Sequence, residues 1–175
     1  MLDIILGAVS LGLLWAVMTI GVYITYRILN IADLTVEGSI VTGASIAAYS
    51  IVNGVNPYLA TAMAMLGGMA AGLVTGLLHT KLKIPALLSG ILTMTALYSI
   101  NLRIMGKATI SLLRMDTVYT VFENLGLEGN NAVIVLGLIC VLAIVSILYW
   151  FFGTEIGCAI RATGNNPNMV RAQGI

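Results

Sequence analysis

Charged side chains are scarce in this sequence, at 9% of its 175 residues, against roughly 25% in a soluble globular domain. Hydrophobic residues make up 59% and the mean hydropathy is +1.03, so lipid rather than water surrounds most of the chain. With a net charge of +1 and 7% aromatics not interleaved with Lys or Arg, no basic field exists for nucleic acid. Cysteine is nearly absent too. Cys140 and Cys158 are too few for a disulfide framework. An uninterrupted helix would hold them about 27 Å apart, where bridging needs Cα atoms within about 7 Å. They read as free thiols, Cys140 packed in a helix and Cys158 near an aqueous boundary. The one histidine, His79, has no acid or thiol at ligand spacing, so neither a metal nor a cofactor is expected. No G-x-x-x-x-G-K-[S/T] loop, H-E-x-x-H or G-x-S-x-G occurs, and no acid–base pair can be assembled. An enzyme is disfavoured.

What is present is a series of apolar runs. The first, 4–26, lacks charge and would span about 34 Å as a helix, against a hydrocarbon core of about 30 Å. A cleavable signal peptide needs a basic start and a shorter apolar stretch, so a retained helix is expected. The second, 37–52, follows Asp33 and Glu37 and is rich in small residues. It is short for a full crossing, which predicts broken or re-entrant backbone over part of it. Residues 53–57, Asn-Gly-Val-Asn-Pro, read as a tight turn. The third run, 58–78, places Ala60, Ala64, Gly68, Gly72 and Gly76 at four-residue intervals. That repeat is read as one face for close helix packing, with substrate lining as the lesser alternative.

A polar junction with His79, Lys81 and Lys83 precedes the fourth run, 84–102, which begins at Pro85 and carries Ser89, Thr93, Thr95 and Ser99. These hydroxyls suit bonds to backbone or to a neighbouring helix. Residues 103–131 form a polar connection with Arg103, Lys107, Arg114, Asp116, Glu123 and Glu128, and Phe122–Leu127 suggests a short interfacial turn. The fifth run is 132–152. The fold class is therefore all-α and polytopic, with about five membrane segments in 1–152 and a cytoplasmic tail segment in 153–175. The positive-inside rule places Arg27, Lys81, Lys83, Arg161 and Arg171 in the cytoplasm and Arg103, Lys107 and Arg114 outside, with an extracytoplasmic N-terminus.

The tail has the grammar of a small helix. Asn166 suits the N-cap, Pro167 the first helical position and Gly174 a left-handed stop. A helix of about seven residues does not stand alone in water, so it must dock. Met169, Val170 and Arg171 would form a partner-binding knob.

At this point the residues resemble a known family. Arg161-Ala162, Gly164-Asn165, Met169 and Gly174-Ile175 are similar to the cytoplasmic coupling motif of permeases of ABC importers for branched-chain amino acids, ribose and related solutes. Leu11-Gly12 to Ala16, Ile20-Gly21, Tyr26, Leu29 to Asp33 and Glu37-Gly38 resemble the same family's opening helix and turn. The acidic stretch Asp33 to Ser39 is closer to permeases that work with lipoprotein-type binding proteins, some for aromatic amino acids.

The resemblance implies a bacterial inner-membrane protein with three partners: an ABC ATPase subunit that hydrolyses ATP, a second permease subunit and an extracytoplasmic substrate-binding protein. It implies ATPase coupling by Arg161, Gly164, Asn165, Asn166, Pro167, Met169, Val170, Arg171 and Gly174. Asn30, Asp33, Thr35, Glu37, Thr93 and Thr95 are the path candidates. Helix capping competes for Asp33 and Glu37, and simple cytoplasmic anchoring competes for Arg161 and Arg171. Family permeases continue beyond this motif, so a fragment is expected. The alternative function is a channel or secondary carrier, disfavoured because runs one, three and five hold no ionisable group for ion coupling.

Overall fold

The computed structural model describes residues 2–112, 115–118, 120 and 130–174, and among them every regular element is helical. The elements are α1 (Leu2–Tyr23), a π turn (Ile24–Ile28), α2 (Thr35–Val52), α3 (Pro57–Thr80), α4 (Ala86–Met105), α5 (Asn130–Gly153), α6 (Glu155–Asn165) and α7 (Pro167–Ala172). Five spans are long and apolar enough to cross a membrane: Ile4–Ile28, Thr35–Val52, Pro57–Thr80, Ala86–Met105 and Asn131–Gly153. The chain divides into two compact units, Met1–Ala32 with Val121–Ile175, and Asp33–Thr120.

In the first unit α1 packs along α5, with Leu13 seated over Gly137, where an added Cβ would lie 3.1 Å from the leucine Cβ. Both helices are apolar nearly all round, as lipid-facing helices are. The π turn continues α1 beyond its expected end at residue 26. There Leu29 N–H donates to Ile24 O at 3.0 Å and Ile31 N–H to Thr25 O at 3.0 Å. The Thr25 hydroxyl bonds back to Val22 O at 3.0 Å, a contact that loosens the regular ladder. Asn30, at φ 55, takes the left-handed conformation that asparagine tolerates best among non-glycine residues.

In the second unit α2 is one continuous helix. Its 18 residues cover about 27 Å, which replaces the expectation of broken or re-entrant backbone. The α2–α3 turn is closed by Gly54 at φ 80 and by Asn56, whose side chain accepts from Tyr58 N–H at 3.0 Å. His79 has a structural task between α3 and α4, its Nδ1 lying 2.8 Å from Ile84 O. Pro85 is the N-cap of α4 rather than its first helical residue. Gly106, at φ 66, ends α4 after Met105, so residues 103–105 are helical rather than part of the connection. Arg114, Glu123, Glu128 and the turn expected at Phe122–Leu127 lie outside the described residues.

The packing face of α3 differs from the expected stripe. Ala60, Ala71 and Thr75 are buried. Ser39 O lies 3.6 Å from an ideal Cβ on Gly68, and the backbone of Ala64 abuts Gly43 at 3.3 Å. Gly72 and Gly76 are exposed, and an added Cβ there meets nothing within 4 Å. A strict four-residue repeat advances about 40° per step round a helix of 3.6 residues per turn, hence about 160° from Ala60 to Gly76. The two ends of that stripe cannot share a face. The true face follows 60, 64, 67/68, 71 and 75.

Gly72→Leu should consequently change the stability of this unit by less than about 0.5 kcal/mol. Gly38→Leu should cost about 1–3 kcal/mol, because a Cβ there already sits 3.1 Å from Leu97 Cδ1 and 3.3 Å from Met94 Cα. Thermal unfolding of the two purified variants checks this. Equal melting temperatures would refute the assignment of the faces.

Candidate functional site

The residues after α5 form two helices, not a loop with one helix. Thr154 makes the corner. Its hydroxyl donates to Phe151 O at 2.6 Å and accepts from Gly157 N–H at 3.3 Å, capping α6. Glu155 lies in the first turn, where the helix dipole favours an acid. Gly157 is buried against the backbone of Phe151 and Phe152, so close that a Cβ would collide. The continuous helix assumed between the two cysteines is thus interrupted, and both thiols are free and exposed, Cys140 on the outer side of α5 rather than packed as expected.

Arg161 turns back along α6. Its Nη2 donates to Phe152 O and lies 3.9 Å from Cys158 Sγ, while the guanidinium sits 5.9 Å from the Phe152 ring centroid. It thereby satisfies a carbonyl in the last turn of α5, which has no helical partner of its own. Gly164 and Asn165 belong to the last turn of α6. Gly164 presses on the π turn, with Leu29 Cα 3.0 Å from its ideal Cβ and Ile28 O nearer still. The arm therefore rests backbone to backbone on the end of α1.

Asn166 is the corner between α6 and α7. It is extended, with φ −151 and ψ 91. Its N–H donates to Ala162 O at 2.9 Å, and its side chain accepts from Met169 N–H at 3.1 Å. Pro167 occupies the start of α7, and Gly174 has φ 77. Val170 is 7% exposed and Met169 56%. Val170 is therefore the anchor that docks α7 on its own chain, and Met169, with Arg171 exposed beside it, is the outward knob.

The transport-path candidates are distributed differently. Asp33 Oδ1 accepts from Thr35 N–H at 2.8 Å, an Asx turn that opens α2. Thr35, 2% exposed, shares a 2.8 Å hydroxyl contact with buried Thr75 of α3. Thr93 is buried and donates to Ser89 O at 2.9 Å. Glu37 and Thr95 are exposed, and Thr95 bonds its own helix at Ile91 O, 2.9 Å. Asn30 is exposed in the first unit.

Three residues outside the candidate set belong to this polar seam. Thr75 closes the hydroxyl pair, and Ser89 is fully buried. Gly90 lets α4 approach Asp33 Oδ1 to 2.9 Å and Leu34 N to 3.0 Å, measured from its ideal Cβ. The spacing Ser89, Thr93, Leu97 and Asn101 is a recoverable signal, one helical stripe with polar groups inward. Asn101 Oδ1 is buried without a hydrogen-bond partner among the described residues. No group of three or more His, Cys, Asp or Glu could hold a metal among them.

Five apolar spans and a capped amphipathic arm define a helical multi-pass membrane protein. The chain belongs to the branched-chain amino acid transport system permease component family, whose model matches residues 4–175. It is 44% identical over 171 residues to a tyrosine transport system permease protein of Clostridioides difficile, covering 98% of this chain and 55% of that protein. It is 34% identical over 169 residues to an uncharacterised protein of Rickettsia prowazekii, covering 97% and 58% of the two chains. The chain thus spans about half the length of the curated relatives it matches. No solved structure matches it.

Proposed function

We propose that this chain forms the membrane-spanning permease part of an ATP-driven importer, with α6 and α7 docking a separate ATPase subunit. The observation that carries the reading is the two-helix arm. Its own chain buries Val170, braces Arg161 and Gly164, and leaves Met169 outward. A helix of six residues is held in place only by such docking, so α7 is a built surface rather than a frayed end.

The proposed solute is an amino acid, and an aromatic one in particular, since a relative with 44% identity is named for tyrosine transport. The partners are the ATPase, a second permease subunit and an extracytoplasmic substrate-binding protein. The arm faces the cytoplasm of a bacterial plasma membrane, in accord with the loop charges. Thr35, Thr75 and Thr93 form a polar seam suited to the neighbourhood of a translocation path, and hydrolysis falls to the ATPase.

Met169→Asp in the intact transporter puts a charge into a contact that is partly apolar, and an unpaired buried charge is costly. ATPase co-purification and ATP-dependent uptake in vesicles should both fall at least tenfold, about 1.4 kcal/mol in binding. Solute binding to the binding protein should be unchanged. Full ATPase association and uptake in this variant would remove the coupling role and favour a channel or secondary carrier.

A further inference from the structure

In the first unit a cavity of about 820 Å³ opens between the last turns of α1 and α5 and the start of α6. Its composition is graded along the helix axes. Ile20, Ile24, Val145 and Leu148 line the part toward the middle of the membrane segment. Tyr149 and Trp150 stand at its mouth, 85% and 72% exposed. Thr154 and Arg161 close the far end. From Val145 to Phe152 the wall runs about 10 Å, within the roughly 15 Å of a single leaflet's hydrocarbon.

Arg161 is only partly used by the protein. Beyond its approach to the Phe152 ring, both of its hydrogen bonds, to Phe152 O and Cys158 Sγ, are made by Nη2. Nε–H and Nη1–H₂ have no acceptor among the described residues, although the side chain lines the cavity. No carboxylate lines it among those residues, so the cation has no internal counter-charge there. Arg27, between the lining residues Ile24 and Ile28, is exposed and makes no ion pair among the described residues.

We propose that this cavity binds an anionic phospholipid, with its phosphodiester on Arg161 and its upper acyl segment against the isoleucines and Val145. A planar guanidinium with free N–H groups pairs with phosphate oxygens in a forked geometry. Basic pockets between membrane helices recognise anionic headgroups, and Tyr and Trp collect at headgroup level. A covering protein helix fits poorly. Helix–helix contacts in lipid favour small residues, whereas this wall presents Trp150, Tyr149 and branched aliphatics. The proposal goes beyond the transport reading and does not depend on it.

The test uses the intact transporter, equilibrated in equimolar phosphatidylglycerol and phosphatidylcholine and then analysed by native mass spectrometry. Wild type should retain phosphatidylglycerol preferentially. Arg161→Gln should lower that preference about fivefold, the effect of one cation near an anionic lipid surface, and Arg161→Lys should keep most of it. Val145→Trp fills the apolar end, leaves the Arg161–Phe152 bond alone and should also lower retention. It decides the matter if Arg161→Gln fails to fold. Equal retention of the two lipids by wild type, or undiminished phosphatidylglycerol retention in Val145→Trp, would overturn the proposal. So would displacement by inorganic phosphate that is equal in wild type and Val145→Trp, which would assign Arg161 to a free anion.

Discussion

Replacing Gly164 with valine should separate the two-helix arm from α1 and, if that arm couples to an ATPase as proposed, abolish uptake by the intact transporter. The atoms that an added Cβ would strike are Ile28 O and Leu29 Cα. Both are backbone, and neither can rotate aside as a side chain could. Alanine at 164 should already destabilise. Overpacking costs about 1–3 kcal/mol, offset by about 1 kcal/mol of helix propensity gained on replacing glycine. Valine adds two methyl groups in the same place and should exceed about 3 kcal/mol, near the upper range for overpacking.

Because Asn166 alone separates α6 from α7, displacement of α6 carries Met169 with it. Gly76→Ala is the control, since an added Cβ there meets nothing within 4 Å. It should be neutral or slightly stabilising. Thermal unfolding, ATPase co-purification and uptake are the readouts. Normal melting and transport in Gly164→Val would show that the contact with the π turn is dispensable.

Gly90→Val should damage the second unit by a different route. Its Cβ would press on Asp33 Oδ1 and Leu34 N, displacing the carboxylate that accepts from Thr35 N–H. Loss of such a cap costs about 1 kcal/mol, and overpacking adds about 1–3 kcal/mol. The combined loss should be about 2–4 kcal/mol in reversible unfolding. Asp33→Asn keeps an acceptor oxygen and should be mild, whereas Asp33→Ala should lose the cap alone. The double variant Gly90→Val with Asp33→Ala should cost less than the sum of the singles, because both act on one bond. Strict additivity would show that the strain at Gly90 falls elsewhere.

Four of the five membrane segments were fully legible in the sequence because each is a nearly charge-free run of sufficient length, whereas the second, shorter run was located but misread as broken. Burying polar backbone in lipid leaves helix as the form such a run can take. The Asn166-Pro167 start of α7 was legible for a related reason, since capping chemistry is local and spans three residues. α6 was not. Its stretch contains Gly157 and Gly164, which local propensity reads as turn or breaker, yet both are the points where the helix meets backbone.

The direction in which a glycine faces is likewise a tertiary fact. In α3 the four-residue stripe of small residues looked like one surface, and the helical twist carries Gly72 and Gly76 away from it. Residue types and spacing determined by themselves that this is a polytopic helical membrane protein, because hydropathy and capping act over short stretches; the permease family entered through the resemblance of the motifs at its two ends. Only the tertiary structure decided that Val170 docks while Met169 projects, and that Arg161 braces α5. It also decided that Thr35 meets Thr75 across 40 residues of chain. Those outcomes depend on which backbones approach closely, a distance that no local pattern encodes.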